Sequence, residues 1–114
     1  TKSGVIKKTA LSQFDTNRKN GIIAINLKDD DELIDIKQTS GDDDVIIVTK
    51  HGKSIRFNEK DVRPMGRAAG GVRAIKLDWG DEVVSMCLVH KDDELLVVTE
   101  NGFGKRTAVK EYKV

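Results

Sequence analysis

Short apolar runs alternate with polar turns along the whole chain, and this spacing predicts β-strands. The runs are five to seven residues long, rich in Ile and Val, and bounded by Gly, Asp and Asn. No segment keeps the 3.6-residue period of an amphipathic helix. The pattern therefore predicts an all-β protein, with strands at 4–9, 22–27, 33–38, 45–49, 53–57, 72–77, 83–89, 95–99 and 103–107.

Two of these runs are apolar on both faces. Val45–Val48 and Leu95–Val98 contain no polar alternate position. Such runs are typical of strands buried between neighbouring sheets. We therefore expect both to lie in the middle of a packed blade.

The turns between strands carry their own signals. Lys50–Lys53 and Glu100–Phe103 contain His-Gly and Asn-Gly pairs between two apolar runs. These pairs predict tight hairpins in which both central residues can adopt φ > 0. Asn58–Ala69 lacks a strand pattern, and Pro64 within it indicates a loop with at most a short helical turn.

An internal repeat organises the pattern at an offset of 50 residues without a gap. Residues 21–34 align with 71–84, and 44–49 align with 94–99. A partial copy at the start lies 48 residues before its counterpart, with Thr1, Lys2, Gly4 and Lys8 on Thr49, Lys50, Gly52 and Arg56. The predicted division is 1–20 as the end of a preceding blade and a linker, 21–70 as a first full repeat, and 71–114 as a second repeat that is complete or truncated.

Four strands per ~50 residues, repeated, is the signature of a propeller-like array, in which each sheet is covered by the next blade. Such arrays usually need three or more units. About two blades plus part of a third leave an open end, so we expect marginal stability or self-association. The chain starts at Thr1 and opens partway through a unit, which suggests a piece of a longer polypeptide.

Composition narrows the class of protein. The chain has 114 residues and one Cys, which allows one small domain and excludes an internal disulfide or a Cys-based zinc site. Cys87 is expected to be a small core residue. No run approaches the ~20 apolar residues of a membrane span, and the N-terminus lacks a signal-peptide core. We expect a soluble, cytoplasmic protein with no membrane partner.

The net charge of +1 conceals an alternation along the chain. It is +5 for 1–28, −7 for 29–44, +6 for 45–77, −6 for 78–100 and +3 for 101–114. If equivalent positions line one rim, the basic segments form an edge that suits the backbone of a polyanion. The alternative is that these charges only keep the exposed face of a sheet hydrated.

The five aromatic residues are too scattered for a base-stacking platform. A nucleic-acid partner would therefore be a duplex, held by its backbone and selected by its bendability. The acidic runs 29–32 and 42–44 lack the spacing of an EF-hand, 102–107 matches no phosphate-loop pattern, and His51 and His90 have no nucleophile at a recognisable spacing. We predict no catalytic residue, no metal site and no cofactor in this chain.

Two segments resemble the C-terminal domain of DNA gyrase A, a component of a type II DNA topoisomerase. The first is Asp61–Arg67 running into Gly70–Leu77 and Asp81–Val84, and the second is Thr99–Thr107. The resemblance spans essentially the whole chain. It implies a six-bladed β-pinwheel, with strands exchanged between adjacent blades, that wraps duplex DNA around a basic perimeter. In that family, wrapping supports ATP-dependent negative supercoiling, and the ATP and Mg sites and the DNA-cleaving tyrosine lie outside this domain.

The resemblance also implies partners and contact residues. The partners are double-stranded DNA, the remaining blades and domains of gyrase A, and the gyrase B protein. Arg63 and Arg67 flank Pro64 in a loop and are the best placed to contact DNA, whereas Arg73 could instead be an inter-blade structural residue. The full set of implied phosphate contacts is Lys7, Lys8, Arg56, Arg63, Arg67, Arg73, Lys105 and Arg106.

Two alternatives stay open. The family heptapeptide Q-R-R-G-G-K-G is absent from this chain, and the related C-terminal domain of topoisomerase IV has a degenerate or missing heptapeptide. The similarity of the two segments favours gyrase. The second alternative is a repeat-type protein-interaction module, because a propeller-like fold does not fix function.

Overall fold

A computed structural model describes residues 1–112 and 114. Within these residues it contains strands β1 (Val5–Ile6), β2 (Asp44–Thr49), β3 (Ser54–Asn58), β4 (Val72–Arg73), β5 (Val83–Val89), β6 (Glu94–Val98) and β7 (Gly104–Ala108). Three short 3₁₀ helices lie at Leu11–Phe14, Glu59–Asp61 and Val109–Glu111. The all-β prediction is confirmed, and the 3₁₀ turn at Glu59–Asp61 is the short helical turn expected before Pro64.

The strands pair antiparallel in three small sheets, with orders β1-β4, β3-β2-β5 and β6-β7. In the first sheet Val5 lies opposite Arg73. In the second, Ile46 lies opposite Arg56 on one side and Cys87 on the other. The first two sheets each combine strands from different units, so strands are exchanged between units.

The strands predicted at 22–27 and 33–38 are wrong, because the structure has no strand at these residues. The repeat supplies the reason. Residues 72–77 correspond to 22–27, and their strand β4 pairs with β1, which precedes the first full repeat. The same 50-residue shift places the partner of 22–27 ahead of Thr1. Likewise β5 pairs with β2 of the preceding repeat, and the matching partner of 33–38 also falls ahead of Thr1.

Two other predicted strands are shorter than expected in the described residues. The strand predicted at 4–9 is reduced to β1, and the one at 72–77 to β4. Instead of four-stranded blades, the described residues form sheets of two or three strands.

The core is built on both faces of β2. Val45 and Ile47 pack with Ile75 and Val83, while Ile46, with no exposed surface, packs in a second cluster with Val89 and Val109. The predicted burial of Val45–Val48 is confirmed. Cys87 packs against the second cluster, as expected of a small core residue.

The predicted burial of Leu95–Val98 is wrong in this chain. Leu96 is 65% exposed and Val98 is 62% exposed. Strand β6 has only β7 beside it, whereas its repeat counterpart β2 lies between β3 and β5. Among the described residues, β6 therefore presents apolar side chains to solvent.

Both predicted hairpins are present, with a different turn geometry. The amide of Thr49 donates to the carbonyl of Lys53 at 2.8 Å, and that of Gly52 donates to the carbonyl of Thr49 at 3.0 Å. Gly52 has φ +85°, and no described non-glycine residue has a positive φ. The turn is therefore type I followed by a left-handed Gly, rather than one with two positive φ angles. The hairpin at 99–103 repeats both hydrogen bonds.

Candidate nucleic-acid interface

Several of the predicted phosphate contacts donate to the protein itself. The ammonium of Lys8 donates to the carbonyl of Glu59 at 2.9 Å. One repeat later, the guanidinium of Arg56 donates to the carbonyl of Val109 at 3.0 Å. Glu59 and Val109 are 50 residues apart and both open a 3₁₀ helix. We call the position shared by Lys8, Arg56 and their third counterpart, Arg106, the latch position.

Arg56 makes the most complete set of contacts at the latch position. Its Nη2 and Nε donate to Asp44 Oδ2 at 2.7 and 3.0 Å, and Nη1 also donates to the carbonyl of Tyr112 at 3.1 Å. The side chain is only 10% exposed. A hydrogen bond from the Asn58 side chain, together with Arg56, holds the pKa of Asp44 below its usual range. This geometry favours a structural role for Arg56, and its contact with phosphate stays a prediction.

Arg106 repeats the same pairing at the open end of the array. Its Nε lies 2.6 Å from Glu94 Oε2, just as Arg56 pairs with Asp44 50 residues earlier. Its side chain is 72% exposed, because less of the protein surrounds β7 than β3. The exposure of Arg106 follows from its place at the end.

Lys7 is held between two backbone oxygens. Its ammonium donates to the carbonyl of Ala24 at 2.5 Å and to the carbonyl of Arg67. Burial, followed by the nearby positive charge of Arg67, lowers the pKa of Lys7 below its ordinary value. Positive charge is therefore concentrated where the loop after β3 meets the segment after β1.

A set of cations on that loop and on β4 faces solvent. Arg63, Arg73 and Lys60 are exposed and Arg67 is half-buried. We call these four residues the basic loop surface. Lys60 was not among the predicted contacts, although Lys110 stands at the corresponding place 50 residues on.

Backbone contacts hold the basic loop surface in place. The amide of Met65 donates to the carbonyl of Lys8 at 2.8 Å, and Nη1 of Arg67 donates to the carbonyl of Ile23 at 3.0 Å. Gly71 has φ +94°, and a Cβ there would lie 2.5 Å from the carbonyl oxygen of Ile6. Only glycine lets the loop return this close to β1.

Little negative charge lies within this surface, and one ion pair reaches it from outside, since Lys60 Nζ lies 3.3 Å from Asp42 Oδ1. Between residues 59 and 73 the acidic residues are Glu59 and Asp61. Glu59 is 5% exposed, and its carboxylate accepts hydrogen bonds from the Thr39 hydroxyl and the Asp43 amide, both at 2.8 Å. Asp61 is the one exposed carboxylate in this stretch.

The structure thus brings five of the eight predicted contacts together around β1 and β4, namely Lys7, Lys8, Arg63, Arg67 and Arg73. It places the other three on β3 and β7, namely Arg56, Lys105 and Arg106. Lys105 is exposed. All eight assignments as phosphate contacts stay predictions.

Two other kinds of feature are absent from the described residues. Within 1–112 and 114, no three His, Cys, Asp or Glu side chains are grouped so that they could hold a metal ion. No helix in this part of the chain is long and apolar enough to cross a membrane.

The sequence matches the family model described as "DNA gyrase C-terminal domain, beta-propeller" over residues 1–40, 43–87 and 93–114. It is 71% identical over 113 residues to the DNA gyrase A protein of Clostridium acetobutylicum, covering 99% of this chain and 14% of that protein. It is 53% identical over 112 residues to the DNA gyrase A protein of Salmonella typhimurium, covering 98% and 13%. The chain therefore spans about one seventh of the length of these relatives.

Solved structures show the same likeness. The C-terminal domain of DNA topoisomerase IV superposes with a TM-score of 0.92 at 33% identity, over 98% of this chain and 35% of the other. A DNA gyrase A C-terminal domain superposes with a TM-score of 0.84 at 35% identity, over 97% and 36%. The strand exchange, the repeat and these matches agree, and the chain belongs to the DNA gyrase C-terminal domain family, whose fold is a β-propeller.

Proposed function

We propose that this chain is a duplex DNA-binding module of DNA gyrase A, which holds the phosphate backbone without reading the base sequence. The observation that carries the proposal is the basic loop surface. Four cations lie within 14 residues of chain, with Asp61 as the one exposed carboxylate among them. Guanidinium and ammonium groups that meet phosphates release condensed counterions, which supplies affinity for any duplex.

The residues differ in how well they suit this role. Arg63 and Arg73 are exposed, and both can swing toward a phosphate without loss of an internal contact. Arg67 is tied to Ile23 by one hydrogen bond. Lys8 and Arg56 serve the latch position, and we propose that their main role is to stabilise the fold.

In full-length gyrase A, we propose that this module bends DNA and so supports ATP-dependent negative supercoiling by the whole enzyme, together with the other blades and gyrase B. The module itself binds rather than catalyses. As parts of a bacterial type II topoisomerase, the chain and its partners would act in the cytoplasm.

The experiment is a titration of the chain against fluorescently labelled linear duplex DNA over a series of salt concentrations. We expect the logarithm of the binding constant to fall linearly with the logarithm of salt concentration, with a slope of about −0.9 per phosphate contacted. Duplexes of unrelated sequence but similar flexibility should give equal affinities. No binding at low salt would refute the proposal, as would binding without salt dependence, which would favour a protein-interaction module.

A pair of variants tests the surface itself. Arg63→Gln together with Arg73→Gln should make the slope shallower by about 1.8, because each arginine contacts one phosphate. The control is Lys28→Gln with Lys91→Gln, which removes the same charge from exposed sites beside acidic turns. An equally reduced slope in both double variants would show that net charge, rather than this surface, governs binding.

A further inference from the structure

Trp79 stands alone at the tip of a turn. The turn is closed by a hydrogen bond from the Asp81 amide to the carbonyl of Asp78 at 3.0 Å, and Gly80 within it has φ +78°. The indole is 99% exposed. Aromatic side chains carry a large apolar surface, and this one is fully available to a partner.

The repeat shows that adjacent blades leave this tip uncovered. The counterpart of Trp79 one repeat earlier is Asp29, which is exposed although the following repeat is present. Trp79 is exposed although the preceding repeat is present. Leu96 behaves differently, since its counterpart Ile46 has no exposed surface. The exposure of Leu96 therefore reflects the end of the array, and that of Trp79 does not.

Two exposed cations precede Trp79 in the sequence. Arg73 and Lys76 are exposed on the segment that ends at the turn. From the neighbouring hairpin, the ammonium of Lys53 donates to the carbonyl of Lys76 at 2.8 Å and lies 3.9 Å from a carboxylate oxygen of Asp78.

Most acidic residues of the turn are either buried or paired with a lysine. The side chain of Asp81 has no exposed surface, and Glu82 is paired with Lys2 at 3.5 Å. Asp78 is the exposed carboxylate of the turn, and Lys53 partly neutralises it. An exposed aromatic ring on the same segment as two exposed cations matches a polyanion that also presents flat apolar faces, and the bases of a duplex are such faces.

We infer that Trp79 is a wedge that inserts against a base step of the bound duplex, while Arg73 and Lys76 hold the adjacent phosphates. This inference rests on the proposed function. Insertion partly unstacks the step and bends the duplex. Pyrimidine–purine steps unstack most easily, so the wedge gives the module a preference for flexible DNA that phosphate contacts cannot give.

Because Trp79 is the only tryptophan, its fluorescence reports on the inserted group directly. Two labelled duplexes of equal length are titrated at fixed low salt, one with central TA steps and one with a stiff A-tract. Anisotropy of the labelled DNA measures binding, and indole emission with acrylamide quenching measures the exposure of Trp79. We expect indole emission to be quenched and acrylamide access to fall at least twofold, more strongly on the TA duplex.

Two variants distinguish insertion of Trp79 between bases from ordinary contact of an exposed aromatic side chain. Trp79→Ala should weaken binding to the TA duplex about tenfold and remove the preference for it. The matched control is Phe103→Ala, an aromatic that is 76% exposed on the β6–β7 hairpin, which should change affinity less than twofold. Circular dichroism of both variants checks that the fold is intact.

The outcomes distinguish the two proposals. DNA binding with a steep salt slope but unchanged indole emission and acrylamide access overturns the wedge and leaves the DNA-binding function standing. Protection of the indole that is equal on the two duplexes also overturns the wedge, because it places Trp79 on the backbone. Absence of any DNA binding overturns both.

Discussion

Replacing Arg56 with Met removes a guanidinium that ties the β3-β2-β5 sheet to the end of the chain, while it keeps an unbranched stem of similar length. Four hydrogen bonds are lost with it. Two go to Asp44 Oδ2, and the other two go to the carbonyls of Val109 and Tyr112. The carboxylate of Asp44 then loses its cationic partner.

The magnitude follows from burial. Removal of one member of a buried ion pair costs about 3–5 kcal/mol. The side chain of Asp44 is 23% exposed and keeps a hydrogen bond from the Asn58 amide at 2.9 Å, so water and Asn58 recover part of its stabilisation. We expect the free energy of unfolding to fall by about 2–3 kcal/mol.

Urea denaturation followed by circular dichroism measures this change. For a domain of this size the urea midpoint should fall by about 1–2 M at an unchanged m-value. The control is Arg106→Met, which alters the same repeat position where the side chain is 72% exposed. That pair lies at the surface, and its removal should cost no more than about 1 kcal/mol.

Two results would refute this reasoning. Equal losses at the two positions would mean that the added burial and the two carbonyl contacts contribute nothing. A loss below about 1 kcal/mol at Arg56, together with markedly weaker DNA binding, would make Arg56 a phosphate contact rather than a structural residue.

Three further changes test other parts of the structure. Burial raises the pKa of Asp31, but hydrogen bonds from Ser3, Thr1 and Glu32 outweigh it and lower the pKa from 3.8 to about 2. The stability that Asp31 contributes is therefore complete above about pH 4 and is lost as pH falls toward about 2; an NMR titration midpoint of its carboxyl near the ordinary value would contradict this. Ser3 corresponds to His51 and donates to Asp31 Oδ2 at 2.6 Å, whereas Asp81 Oδ2 has no hydrogen-bond partner among the described residues. His51→Ser should supply the missing donor and raise the melting temperature by a few degrees, and an unchanged or lower value in calorimetry would count against this. Gly71→Ala should cost at least ~2 kcal/mol more than Gly21→Ala in urea denaturation, because a Cβ at Gly71 would lie 2.5 Å from the Ile6 oxygen and one at Gly21 meets nothing within 4 Å; similar costs would show that β1 can move aside.

Sequence patterns predicted the strands of the β3-β2-β5 and β6-β7 sheets, whose partners lie in the same chain. Asp44–Thr49 and Val83–Val89 lie within a residue of their expected bounds, and they pair with each other. Residues 22–27 and 33–38 have similar patterns but no strand pairing. A strand depends on a neighbour that hydrophobic alternation does not identify.

The candidate site was harder to predict than the fold. The resemblance implied a phosphate contact at Arg56 as well as at Arg63, although Arg63 was the better placed of the two, and the structure buries the first and exposes the second. The carbonyl that Arg56 contacts lies 53 residues further along the chain. The signal available in the sequence was the recurrence of Arg at 56 and 106. A cation that recurs at the same position of each repeat can stabilise the contact between repeats rather than bind phosphate.

The latch position makes the units depend on one another in a fixed order. Lys8 contacts a carbonyl that belongs to the next unit, and Arg56 contacts one in the unit after that. Such an array behaves as a one-dimensional chain with nearest-neighbour coupling. Amide hydrogen exchange should then be slowest in β2, which has partners on both sides, and progressively faster toward β6 and β7. Opening would start at that end and spread backward one unit at a time, and a further unit added there would protect the β6–β7 hairpin without altering any contact inside it.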